Sequence, residues 1–446
     1  MGEAIGVIGA GYLGATQAVC LAELGHCVLA LDTDAEKVAW LNRGAPPFFE
    51  PGLGELLQRN LSSGRLRFTT SPVELAAHAD IQVVCVGTPQ QVDGLAADTS
   101  QVFAAANAVV PHLRAPTLLV GRSTVPVGTA ARLAELCTRI APAGVNVEVA
   151  WSPEFLREGQ AVADTMDPAR LVFGVTSAEA EKTLRRIFGV GEDHDRVVVT
   201  DLATAELVKV SANAFLATKI SFANALADLC EAVGGDVLTL TDALGRDERI
   251  GRHFLGTGVG YGGGCLPKDL RALLARAGEV GVGSSFAFLA EVDAINLRQR
   301  QRVLDAAVAE CGGDVAGRRI AALGASFKPM TDDVRDSPAL EIAGRLHALG
   351  ARVMVHDPVA NESAARTHPA LAYASSVEEA LGGAHLVVHL TEWAEFAGLD
   401  PLALLPLVAR PRMLDARSSL DRSLWEEAGW SYRALGRPNG SHRYGR

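Results

Sequence analysis

Arg249–Asp269 reads RIGRHFLGTGVGYGGGCLPKD, with Gly256, Gly258, Gly260, Gly262 and Gly263 placed just ahead of a single thiol, Cys265. Backbone without side chains can come very close to a ligand. The residues after the cysteine predict a helix start: Pro267 suits a first helical turn, Asp269 suits the positive end, and apolar residues recur at helical spacing. A thiol at a helix N-terminus is biased toward the thiolate, its nucleophilic form. From an ordinary pKa of about 8.5, a fall of about one unit leaves roughly a quarter of it ionised near pH 7. The competing reading is that Cys265 is a small buried hydrophobe, as most free cysteines are.

A second constellation sits at the other end of the chain. Residues 4–14 run from an apolar strand, AIGVI, into Gly9-x-Gly11-x-x-Gly14, which includes Tyr12 and Leu13. A helical pattern continues to Leu24, then a strand from Cys27 to Leu31 ends on Asp32. In a dinucleotide-binding unit the glycines allow the turn, the approach of the pyrophosphate and the packing of the helix, and the acidic residue takes the ribose hydroxyls. A carboxylate there repels a 2′-phosphate, so the expected cofactor is NAD. Lys37 is in reach of the ribose region.

Elements that could position these groups alternate along the chain. Ile81–Val86 is a strand ending in Gly87-Thr88-Pro89, Thr117–Gly121 is followed by RSTVPVGT with Ser123 and Thr124, and Val145–Ala150 leads into WSPEFLREG with Glu154 and Glu158. Polar residues bunched after parallel strands mark a ligand crevice, although each taken alone could merely cap a turn. Residues 203–233 predict one long helix on which Lys209 and Asn213, four apart, share a face that is either a solvated edge or part of a site. A second helix is expected over residues 286–311. The last third repeats the α/β rhythm: a strand over 319–323, a helix over 338–349, a strand over 352–356 ending on Asp357, and strands over 386–390 and 413–414. Lys328, Arg335 and Arg417 are its cations for phosphate or carboxylate.

The totals narrow the class. With 446 residues, two or three domains are expected; 48% hydrophobic and 21% charged residues describe a globular chain, and a net charge of -11 argues against nucleic acid as a partner. Seven scattered cysteines with no CxxC spacing fit reduced cytoplasmic thiols and give no metal site. Met1 leads straight into a strand-like run with no basic region or cleavage site, and no apolar run is long enough to span a bilayer.

GAGYLG, VGTP, STVPVGT, SPEFLREG, ELVKVSANAFLATKISFAN, RIGRHF, GYGGGCLPKD and SFKPMTDDVRDSPAL, occurring in this order, make the chain resemble the UDP-glucose/GDP-mannose dehydrogenase family over nearly its whole length. The resemblance implies an α/β fold of two Rossmann-like doubly wound domains joined by a long central helical region. The expected divisions are an NAD-binding domain over 1–202, a central dimerisation and catalytic region over 203–310, a sugar-nucleotide domain over 311–436 and a flexible tail over 437–446.

It implies a four-electron oxidation of the C6 alcohol of a nucleoside-diphosphate hexose, UDP-glucose foremost, with two NAD reduced in turn. Carried over by motif, Cys265 captures the aldehyde as a thiohemiacetal and then a thioester, Lys209 and Asn213 stabilise oxyanions, Asp269 with a water and Thr124 handles protons, and Glu154 assists hydrolysis. Gly9, Gly11, Tyr12, Leu13, Gly14, Asp32, Lys37, Thr88, Thr124, Glu158 and Arg335 match cofactor contacts. Glu154, Phe155, Leu156, Arg157, Glu158, Lys209, Asn213, Phe254, Leu255, Gly256, Thr257, Gly258, Gly262 and Lys328 match substrate contacts, and Arg249 matches a residue reaching the neighbouring subunit's substrate, which implies a homodimer. Two places depart from the family's pattern: Gly264 stands where Ser usually precedes the cysteine, and Asp415–Ser418 reads DARS where the family has a DGRN-like turn. Alternatives are the same chemistry on dTDP-glucose, GDP-mannose or a UDP-N-acetylhexosamine, a simple 3-hydroxyacid dehydrogenase, or a non-catalytic NAD-binding protein.

Overall fold

A computed structural model describes residues 2–192 and 194–437. Apart from Arg437, the expected tail lies outside the described residues. The chain forms two compact units: one takes in the chain to Ala212 together with Arg271–Gly283, the other Asn213–Leu270 together with the chain from Ser284 onward.

The first unit holds an eight-stranded sheet. Its strands are β1 (Ala4–Ile8), β2 (Cys27–Leu31), β3 (Leu66–Thr69), β4 (Ile81–Val84), β5 (Thr117–Gly121), β6 (Val147–Trp151), β7 (Leu171–Gly174) and β8 (Val197–Thr200), in spatial order 3-2-1-4-5-6-7-8. All neighbours are parallel except β6 and β7. The central strands are apolar runs because both faces are covered. Successive residues feed opposite cores: Val7, Ala30, Val83, Val120 and Ala150 pack on one side, and Ile8, Leu29, Val84, Leu119 and Val149 on the other. Helix α1 (Tyr12–Glu23) comes after β1, and α2 (Thr129–Ile140) after β5.

Helix α3 runs over Leu202–Val233, 32 residues, and α4 over Leu266–Glu279; the boundary between the units falls within each. The end of α4 completes the first unit, where Arg276 Nε donates to the Val127 carbonyl at 2.9 Å. In the second unit, α5 (Ala287–Glu310) precedes a six-stranded parallel sheet of β9 (Arg319–Leu323), β10 (Arg352–His356), β11 (Ala372–Tyr373), β12 (Leu386–His389), β13 (Arg412–Asp415) and β14 (Ser431–Ala434). The spatial order is 11-10-9-12-13-14, with apolar cores on both faces. This is the doubly wound α/β class that the sequence predicts, with long helices between the two sheet-forming regions of the chain.

Differences concern short strands. β3, β7, β8, β11 and β14 have no counterpart in the expected elements; each is five residues or fewer, and β3, β8, β11 and β14 lie at sheet edges or ends, where alternation has little length in which to show. β6 starts at Val147 because Val145 closes a turn on the Pro142 carbonyl. No helix among the described residues is long and apolar enough to cross a membrane, and no group of three or more His, Cys, Asp or Glu among them could hold a metal ion.

Candidate active site

In the first sheet, strand order reverses between β1 and β4, which places a crevice at their C-terminal ends. The glycines after β1 have separable reasons. Gly9 adopts φ 94°, and a Cβ at Gly14 would lie 1.8 Å from the Gly9 carbonyl oxygen, so α1 can pack this close only without a side chain. At Gly11 nothing lies within 4 Å of a Cβ position. The N-terminus of α1 has no side-chain cap and no acidic residue in its first turn, so its N–H groups are left for an anion.

Asp32, at the end of β2, accepts from Ala10 N at 2.9 Å and Asp34 N at 3.0 Å and pairs with Lys37 Nζ at 3.0 Å. Burial works against its charge, but these N–H donors and the lysine outweigh it and hold the carboxyl below the usual range. The cradle therefore fits a dinucleotide with a free 2′-hydroxyl. After β4, Thr88 Oγ1 donates to the Thr124 carbonyl at 2.7 Å, while Ser123 Oγ donates to Val86 O at 2.7 Å. Ser123 is thus a turn cap.

The loop after β6 carries Glu154 in the same unit. Its Oε1 lies 3.3 Å from Lys209 Nζ, its Oε2 accepts from Leu156 N at 2.6 Å, and both side chains of the ion pair are buried. Lys209 therefore does not lie on a solvated edge. Phe155 stacks under two cations, Arg170 at 3.9 Å and Lys209 at 5.5 Å from its ring centre. Arg157 instead forms an exposed ion pair with Asp164 at 2.7 Å. Glu158 is the next residue, and Gly159 N donates to Glu50 Oε2 at 2.7 Å.

In the second unit, Cys265 is exposed and immediately precedes α4, and Asp269 N closes the first turn on the Cys265 carbonyl at 3.0 Å. Asp269 is buried; Oδ2 accepts from Asn213 Nδ2 at 2.6 Å, and Oδ1 pairs with Lys268 Nζ. Asn213 is likewise buried, so it too departs from the solvated-edge reading. Of the other thiols only Cys27 is exposed. Burial pushes Cys20 and Cys85 up to about 12 and Cys137 to about 11, which keeps them protonated and inert.

The glycines before Cys265 make room chiefly for the chain itself. A Cβ at Gly258 would lie 2.4 Å from the Ala416 carbonyl, one at Gly260 2.3 Å from Asn296 Oδ1, and one at Gly262 2.2 Å from the Asp336 carbonyl. Gly256 alone among them has open space. Around it, Phe254 adopts φ 63°, Leu255 is buried, and the buried Thr257 hydroxyl makes no hydrogen bond among the described residues. Lys328 comes after β9 at the second sheet's own reversal point, between β9 and β12, with its Nζ 5.7 Å from the Phe327 ring centre. Arg335 is gripped by Asp333 and Arg249 by Asp247. Arg417, expected as a cation for ligands, is occupied by the carbonyls of Leu390, Phe327 and Gly260 and by Glu392, and so serves as a clamp.

Models of the UDP-glucose/GDP-mannose dehydrogenase family match the chain in three pieces: its NAD binding domain at 3–190, its central domain at 203–298 and its UDP binding domain at 321–422. The chain belongs to this family. It is 42% identical over 436 residues to UDP-glucose 6-dehydrogenase YwqF of Bacillus subtilis, with 97% of each chain covered, and 40% identical over 447 residues to a UDP-glucose 6-dehydrogenase of Pseudomonas aeruginosa, with 98% of each covered. Among solved structures, a UDP-glucose dehydrogenase from Pyrobaculum islandicum superposes with TM-score 0.89 at 36% identity, covering 98% of both chains, and a UDP-D-ManNAc dehydrogenase from Pyrococcus horikoshii with 0.84 at 26%, covering 97% and 99%.

Four residues that hold the family's motifs in place have no part in the expectations drawn from the sequence. Glu50 accepts from Tyr12 OH and from the N–H groups of Gly159 and Ala161, both at 2.7 Å, so it pins the loop that bears Glu154 and Glu158. Glu206 accepts from Gly128 N at 2.7 Å and Ala130 N at 2.6 Å, capping α2 from α3. Asn224 accepts from Gly258 N at 2.8 Å, and Asn296 pairs with both backbone groups of Tyr261. Asn224 had a signal: it lies eleven residues after Asn213, about three helical turns, and so on the same side of the helix.

Proposed function

We propose that this enzyme oxidises the C6 alcohol of UDP-glucose to the carboxylate of UDP-glucuronate, with two NAD and one water consumed per turnover. The observation that carries the reading is the exposed Cys265 at the start of α4, one turn before an Asp269 buried against Asn213, in a chain matched end to end by UDP-glucose 6-dehydrogenases. The lower identity to the UDP-D-ManNAc enzyme favours glucose over an N-acetylhexosamine.

Bound NAD supplies the hydride acceptor in each oxidation, and the α1 N-terminus, Asp32, Thr88, Thr124 and Glu158 are the residues we assign to holding it. Asp269, through a water and with Thr124, takes the proton of the C6 hydroxyl as the first hydride leaves. The Cys265 thiolate adds to the aldehyde carbon, and the thiohemiacetal oxyanion is stabilised by Lys209 and Asn213. Loss of a second hydride leaves a thioester, which water opens with Glu154 as base, releasing the carboxylate and the thiol. Phe254–Gly258, Gly262 and Lys328 are assigned to the sugar nucleotide, with Phe155–Arg157 lining the sugar. The working divisions are 1–202 for NAD, 203–310 for catalysis and dimerisation, and 311–436 for the sugar nucleotide.

The working assembly is a cytoplasmic homodimer in which Arg249 reaches the partner's substrate. Its support is an apolar stripe on α3: Phe215, Phe222 and Leu229, seven residues apart, are 66%, 56% and 57% exposed.

The test is NADH yield at limiting UDP-glucose. Two NADH per sugar, with turnover abolished or stalled in Cys265→Ser, are expected; one NADH with an unaffected Cys265→Ser variant refutes the double oxidation.

A further inference from the structure

The glycines nearest the thiol lie against the Phe327–Asp336 segment of their own unit. A Cβ at Gly263 would meet the Phe327 ring at 2.7 Å, and one at Gly264 would fall 2.4 Å from Arg335 Cζ and 2.7 Å from each of its Nη nitrogens. These near-equal distances mean that the guanidinium meets the Gly264 backbone face-on. Its carbon is thereby within about 8 Å of the Cys265 Cα, allowing for one Cα–Cα step.

The placement is held at several points. Gly263 N donates to the Arg335 carbonyl at 3.0 Å, Arg335 N donates to Asp333 Oδ1 at 2.9 Å, and Nε and Nη2 grip the same carboxylate at 2.9 and 2.6 Å. That grip uses one edge of a five-donor fork and fixes the plane of the rest.

We propose that Arg335 is a positioning residue for the nucleophile: seated in the space Gly264 leaves, its charge biases Cys265 toward the thiolate. This rests on the assignment of Cys265 as nucleophile and gives Gly264 a specific purpose, since any side chain there evicts the guanidinium. Among the described residues of this unit, Lys268, Asp269 and Asp333 are charged groups of the segments that flank the thiol. Lys268 and Asp269 pair with each other, and Asp333 pairs with Arg335, so removing Arg335 leaves the Asp333 carboxylate uncompensated beside the loop. The guanidinium is substantially exposed, so its pull on the thiol is screened by solvent and weakens with added salt.

The experiment is iodoacetamide alkylation of the intact chain without cofactor or substrate, from pH 5.5 to 9.5, read by peptide mass spectrometry that separates Cys265 from the other exposed thiol, Cys27. Arg335→Gln is expected to slow Cys265 alkylation at pH 7 about three- to tenfold and to raise its apparent pKa, with Arg335→Lys between it and wild type. Gly264→Ala is expected to do the same with the arginine still present. Its methyl needs only the flexible end of Arg335 to move, and unchanged circular dichroism confirms folding. Rates within about 1.5-fold of wild type in both Arg335→Gln and Gly264→Ala overturn the proposal, and a shift in Arg335→Gln alone overturns the seat at Gly264. Because this readout needs no turnover, failure of the NADH yield on UDP-glucose would refute the assigned reaction while leaving the charge coupling to be judged separately.

Discussion

Asn213 Nδ2 donates to Asp269 Oδ2 across 2.6 Å, and both side chains are buried. An amide at this point fixes the orientation of a carboxylate without adding charge. Asn213→Ala removes both an oxyanion donor and the Asp269 support, so kcat with UDP-glucose is expected to fall about 100-fold. Steady-state kinetics beside a thermal melt check this; a fall in kcat below about threefold would remove Asn213 from the mechanism.

Lys209 and Glu154 form a buried ion pair at 3.3 Å. Lys209→Ala leaves the carboxylate without its cation and is expected to cost about 3 kcal/mol of stability, whereas Lys209→Met with Glu154→Gln together should cost less than the single alanine change. Urea unfolding of the two variants beside wild type decides the order.

Burial pushes the Glu206 carboxyl up to about 7, against the opposing pull of the Ala130, Gly128 and Thr129 N–H groups and of Arg276. Its folded value exceeds the ordinary 4.5, so between these two pH values the folded chain binds more protons than the unfolded one. The stability contribution is complete below about 4.5 and is lost as pH rises through about 7. Thermal unfolding from pH 5 to 8 should decline less steeply in Glu206→Gln than in wild type.

The exposed apolar stripe Phe215, Phe222 and Leu229 gives a further expectation. Phe222→Glu should convert a dimer to a monomer in light scattering, and loss of dimer should lower activity through Arg249. A chain that is monomeric before substitution would refute the assembly.

The first βα turn was legible because everything that defines it is local: strand, three glycines, helix and Asp32 lie within about thirty residues. Cys265 was legible for the same reason. The glycine run was readable as a demand for space but not as to who takes it, because Ala416, Asn296 and Arg335 come from sequence-distant segments. Glu50 and Glu206 were invisible on the same ground: their backbone partners lie 109 to 111 and 76 to 78 residues away. For Lys209 and Asn213, helical spacing gave a shared face but not whether that face was covered, and only packing decides that.

The return of Arg271–Gly283 to the first unit has a consequence for biosynthesis. Strands β1 to β8 are all translated by Thr200, yet Arg276 and its neighbours arrive some seventy residues later. The nascent N-terminal sheet must therefore wait on the ribosome with that flank uncovered, and a fragment cut at residue 202 is expected to aggregate where one co-expressed with the rest of the chain would not.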